Sequence, residues 1–143
     1  MLRQLATFAV LSLGIAAGPA YAQDCLHGPT ENPDQAARRR EALAVVRIIN
    51  NIQVNQPGAA KGQFLRYEEL SSSPVAAGLR ESTDETMRRI SLSPGADVLP
   101  DWHLTLDVTA LGYWFMIRDK IDPCGFAYVS NQVGVIFRAE PIR

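Results

Sequence analysis

The order of apolar and polar positions divides the chain into three stretches of different period. From Gln35 to Val54 no glycine or proline intervenes, and Ala42, Val45, Val46, Ile49 and Ile52 fall on one helical face. Leu43 and Ile48 widen that stripe, while Arg38, Arg39, Arg40 and Glu41 keep the first half polar. Asn32-Pro33-Asp34 supplies a start signal and Gln56-Pro57-Gly58 a stop. The helix carries many β-branched residues, so packing rather than propensity must hold it.

The last third has period two. Leu104, Leu106 and Val108 alternate with His103, Thr105, Asp107 and Thr109. Ala110-Leu111-Gly112 turns the chain into an aromatic run from Tyr113 to Arg118. Asp122-Pro123-Cys124-Gly125 turns it again into Phe126–Val129, and Ser130-Asn131-Gln132 leads to Val133–Ala139. Four strands with short connections predict an antiparallel meander, because a parallel pair needs a long crossover.

Residues 57–100 lie between these two patterns. Tyr67-Glu68-Glu69-Leu70 suggests a helical turn, Ser71-Ser72-Ser73-Pro74 reads as a breaker, Val75–Leu79 is short and apolar, and Ser82–Ile90 is helical or an edge strand. The expected fold is α+β: one long N-terminal helix packed on a four-stranded antiparallel meander, with a long irregular connection between them. Both sheet faces carry large apolar groups. Tyr113, Phe115 and Ile117 oppose Trp114, Met116 and Arg118, and Val135 and Phe137 oppose Ile136 and Arg138. Either the connection covers the second face or that face is an interface.

The first 22 residues stand apart from this domain. Arg3 precedes an apolar run from Leu5 to Ala17, and Ala20-Tyr21-Ala22 matches a small-x-small cleavage site. At about 13 residues the run is shorter than the roughly 20 that span a bilayer core. The expectation is a signal peptide at 1–22 and one domain at 23–143, exported to the periplasm or the extracellular space, with no stable membrane anchor after cleavage. Asp24 before Cys25 is a poor match to a lipobox, so lipidation is not expected.

Export gives meaning to the two cysteines. Cys25 and Cys124 allow one intramolecular disulfide, closing nearly the whole mature chain. Composition is ordinary for a globular domain, with 47% hydrophobic and 20% charged residues and a formal charge of −1. That balance argues against a nucleic-acid partner. No zinc, haem or nucleotide-binding motif is present, so no cofactor or metal is expected.

Three stretches resemble type IV pilin-like and pseudopilin-like proteins. Ala44–Gln53 resembles the end of their long helix. Gly62-Gln63-Phe64 with Tyr67-Glu68-Glu69-Leu70 resembles the segment after it, and Phe126–Ile136 is similar to their closing hairpin. The resemblance implies a helix packed on a small antiparallel sheet. One departure is large: Gln23–Arg40 is polar, where a prepilin has the apolar helix that builds the filament. The resemblance therefore implies a soluble, exported pilin-like domain.

No catalytic motif stands out, and the expected function is a non-catalytic structural or protein-binding module of the cell envelope. It would dock an envelope or secreted protein through the sheet face or the 57–100 connection. Trp114, Met116, Arg118 and Ile136, with Arg38, Arg39 and Arg40, are the candidate binding residues. Two alternatives remain open: a small secreted enzyme using His103 with Asp101 or Asp107, and a ligand- or carbohydrate-binding domain using exposed aromatics among Trp102, Tyr113, Trp114 and Tyr128. Asp107, Asp119 and Asp122 are weaker candidates for Ca²⁺.

Overall fold

A computed structural model describes residues 25–140. The expected leader at 1–22 lies outside the described residues. The long helix, α1, spans Pro33–Asn55. Asn32 caps it, accepting from the Asp34 and Gln35 backbone N–H groups, and the Gln35 side chain returns to the Asn32 N–H. Pro33 costs nothing in the first turn, where its missing N–H would have no intrahelical partner. Ala42, Val45, Val46, Ile49 and Ile52 are buried, the stripe that the spacing marks out. Each Val or Ile so buried contributes about 1.5–3 kcal/mol relative to exposure.

Five strands form one antiparallel sheet in the order β1-β2-β3-β4-β5. They are β1 (Asp97–Leu99), β2 (Trp102–Thr109), β3 (Gly112–Asp119), β4 (Ala127–Asn131) and β5 (Ile136–Ala139). The expected meander of four strands is thus corrected to five. β1 has only three residues between Gly95 and Pro100, too few to show alternation. It pairs with β2 through a tight turn in which Asp101 adopts φ 66°, a left-handed conformation that aspartate tolerates better than most residues.

The connection is also more regular than its sequence suggests. It holds a 3₁₀ turn (Ala59–Lys61), α2 (Tyr67–Ser71), α3 (Pro74–Glu81) and α4 (Glu85–Arg88). Ser71–Pro74 is not simply a breaker: Ser73 caps α3 with Pro74 in its first turn, and Asp84 caps α4 in the same manner. Leu70, Ala76, Leu79, Ile90 and Leu92 all join the core shared by α1 and the sheet. Buried Gln53 fastens this segment to α1, its amide donating to Leu65 O and accepting from Leu65 N, each at 2.8 Å. Asn50 ties the helix to the sheet, donating to Ser130 Oγ at 2.8 Å and accepting from Tyr113 Oη at 3.0 Å.

The connection therefore closes the helix side of the core and does not cover the other sheet face. The register places Leu106, Phe115, Ser130 and Ile136 in one row toward α1. The next row, Thr105, Met116, Val129 and Phe137, faces outward. No helix among the described residues is long and apolar enough to cross a membrane.

Candidate functional site

Two constellations stand out, one closed and one open. The closed one lies where the N-terminal segment meets the end of the sheet. Cys25 and Cys124 are joined as a disulfide with Cα atoms 5.2 Å apart. A sulfur so engaged is unavailable for a lipid thioether. The bond brings residues 25–31 against the β3–β4 connection. There Asp122 accepts from the Leu26, Cys124 and Phe126 N–H groups at 3.0–3.2 Å.

His27 enters the core beside this clasp with its side chain fully buried. Its Nδ1 lies 2.9 Å from Glu31 Oε1 and its Nε2 2.9 Å from Asp119 Oδ2. The ring packs 4.7 Å from Phe126 and 5.6 Å from Trp102 between ring centroids. Asp119, also buried, accepts from Arg38 Nη2 at 3.1 Å and from the Ile121 N–H at 3.0 Å. Arg38 continues to Asp101 at 3.6 Å and lies over Trp102. Glu31 accepts from Arg39 Nε and Nη2, both at 2.9 Å. The chain Arg39–Glu31–His27–Asp119–Arg38–Asp101 leaves no carboxylate without a hydrogen-bonded or ionic partner, which burial demands. With the imidazole enclosed on all sides, the arrangement acts as a tether.

The three arginines therefore do not form one patch. Successive helical residues are rotated by about 100°, so Arg38 and Arg39 turn into separate ion pairs and Arg40 alone is left exposed. The Arg39 hydrogen bond holds the Glu31 carboxyl below its ordinary value of 4.5, against desolvation, with His27 adding to the effect. In return Arg39 is held above the usual guanidinium range, first by Glu31 and then by Tyr128. A native carboxyl that titrates below its unfolded value contributes stability above pH 4.5, and this is lost as pH falls through the native value. Urea midpoints measured across that acid window should fall, and fall less steeply for Arg39→Gln. Equal slopes would contradict the assignment.

The open constellation is the second sheet face. Trp114 is 41% exposed and Phe137 56%, with Met116 and Val129 half-buried between them. Trp114 Nε1 donates to Asp107 Oδ2 across the strand pair at 3.1 Å. Val133 and Val135, in the β4–β5 connection, are exposed as well. Arg118 stands exposed at the other end of β3 beside His103. Of the expected binding set, Trp114, Met116 and Arg118 share this face. Ile136 does not: it pairs with Ser130 toward α1, and Phe137 holds the outward place. A groove of about 410 Å³ at the C-terminal end of α1, lined by Ile52, Pro57, Leu65, Pro74 and Val75 among others, is a separate apolar feature shared by α1 and the connection.

The remaining candidates are separated. His103 Nδ1 lies 3.6 Å from Asp97, a carboxylate absent from the sequence-level pairing, while Asp101 faces Arg38 and Asp107 holds the indole. Lys120 lies 2.8 Å from the same Asp97, holding that carboxyl below its usual range. Trp102, Tyr113 and Tyr128 are core residues. Asp107, Asp119 and Asp122 each serve different hydrogen bonds. No cluster of three or more His, Cys, Asp or Glu side chains suited to a metal occurs among the described residues.

Sequence reasoning overlooked His27, Glu31 and Asp119 as one unit. One signal was present: Asp119 continues the inward parity of Tyr113, Phe115 and Ile117, and an acid on that face requires a partner. No family profile, curated protein or solved structure matches this chain.

Proposed function

We propose that the chain is an exported, non-catalytic module of the cell envelope that docks a protein partner through its open sheet face. The observation that carries this reading is the alignment of Trp114, Met116, Val129 and Phe137 across three strands, uncovered by the described residues. The opposite face is filled by α1 and the connection, so the exposed aromatics are not needed to close the core. Large apolar groups grouped on a surface mark interaction sites more often than single ones do. Export is supported by the leader-like residues 1–22 and by the disulfide, which persists in oxidising compartments. A pilin-like kinship belongs to the same proposal and rests on the three sequence stretches alone.

The test is photo-cross-linking in the producing cell. p-Benzoylphenylalanine at Phe137 should give an adduct of higher mass, and the same group at exposed Arg47 on α1 should not. Absence of any adduct from both Phe137 and Met116 would refute docking through this face.

A further inference from the structure

We propose that the occupant of the open face is a second copy of this chain, packed face to face about a two-fold axis that lies in the interface and runs across the strands through Met116. The inference rests on the docking reading above and adds the identity of the partner. The face is graded in charge along its strands. Asp107, beside Trp114, makes one end acidic, and Thr105, Met116, Val129 and Phe137 form the uncharged middle. Arg118 makes the other end basic. His103 is its neighbour in the register, and Asp97, which lies near His103, is engaged by Lys120 at 2.8 Å. Among the described residues no carboxylate lies within ion-pair distance of Arg118, and Asp107 is engaged by the Trp114 indole.

Trp114 and Arg118 are four residues apart on β3, about 13 Å along the strand. A two-fold axis across the strands at Met116 exchanges these positions between copies. Each Arg118 then meets the partner's acidic end, where Trp114 presents its ring and Asp107 its carboxylate. The contact occurs twice, once on each side of the axis, as an isologous interface requires. A guanidinium over an indole gains a cation–π contact, and Asp107 supplies the counter-charge. An axis along the strands would instead set Arg118 against Arg118 and is disfavoured. Packing sheets face to face at a small angle keeps the rows close to this register.

The experiment is sedimentation equilibrium of the purified, disulfide-bonded chain over a micromolar concentration range. The expected mass is twice that of the chain. Asp107→Arg and Arg118→Asp should each weaken association at least tenfold, and the double reversal D107R/R118D should restore it. Circular dichroism of each variant checks that the exposed substitutions leave the fold intact. A dimer indifferent to both reversals would place the contact elsewhere, such as the β5 edge, and would overturn the proposal. A wild-type monomer at every concentration would overturn it too. Adducts at Phe137 with some other protein would then leave the docking reading standing, whereas no adducts would remove both.

Discussion

Replacing Asp119 by alanine should destabilise the fold by about 3–5 kcal/mol, the cost of removing one partner from a buried ion pair. Asp119 is 1% exposed and stands between two donors, His27 Nε2 and Arg38 Nη2. Arg38 keeps a solvent-facing edge and a second carboxylate, Asp101, so its loss is partly repaired. His27 has no such exit, because its ring is enclosed by Phe126 and Trp102. Leaving that nitrogen unpaired in an apolar wall is the larger part of the cost. Asp119→Asn keeps the shape but removes the charge, and should fall between alanine and wild type. Urea unfolding with an unchanged slope is the measurement. A loss under about 1 kcal/mol for alanine would mean that the ion-pair chain contributes little.

This network also marks where sequence pattern stops being informative. The stripe Ala42–Ile52 and the alternation from Leu104 to Val108 are periodic, so the helix and the central strands follow from local spacing. β1 has no period to detect, and its strand character comes from pairing with Trp102 and His103. The short helices were obscured for a different reason. Ser73 lies in a polar stretch that reads as a breaker, and Ser82–Ile90 reads equally as helix or edge strand, because α3 buries only Ala76 and Leu79 and α4 buries no side chain fully.

The site divides along the same line. Trp114, Met116 and Arg118 were legible as one face because parity within a strand is a local property. Ile136 leaves that face because parity between strands depends on register. Residues Asn131–Gly134 form the β4–β5 turn, with the Gly134 N–H donating to Asn131 O at 2.8 Å, and the resulting alignment sets Phe137 opposite Val129. A slip of one residue would have exchanged Phe137 with Ile136. His27 is a still more distant case. Its partner Asp119 is 92 positions away, and the contacts that bring the two segments together, the Cys25–Cys124 disulfide and the Leu26–Asp122 hydrogen bond, are equally remote in sequence.

That disulfide should contribute about 2–5 kcal/mol, measured as the fall in unfolding free energy of the double variant Cys25→Ser, Cys124→Ser. The cysteines are 99 positions apart, and the chain-entropy estimate for a loop of about 100 residues is about 4.7 kcal/mol. The stabilisation acts chiefly on the unfolded chain, whose ends the bond keeps together. In the folded state the same segment is held independently by the Leu26–Asp122 hydrogen bond and by His27 between Glu31 and Asp119. The serine variant should therefore fold to the same structure, with the Leu26 amide still protected from exchange. Its dependence on Asp119 should rise, because without the bond the His27 chain becomes the main anchor of residues 25–31. Adding Asp119→Ala to the serine pair should release that segment locally before global unfolding, seen as lost protection at Leu26 while core amides such as Val46 and Phe115 stay protected. Strict additivity of the two losses, with Leu26 exchanging together with the core, would show that disulfide and ion pairs do not share one tether.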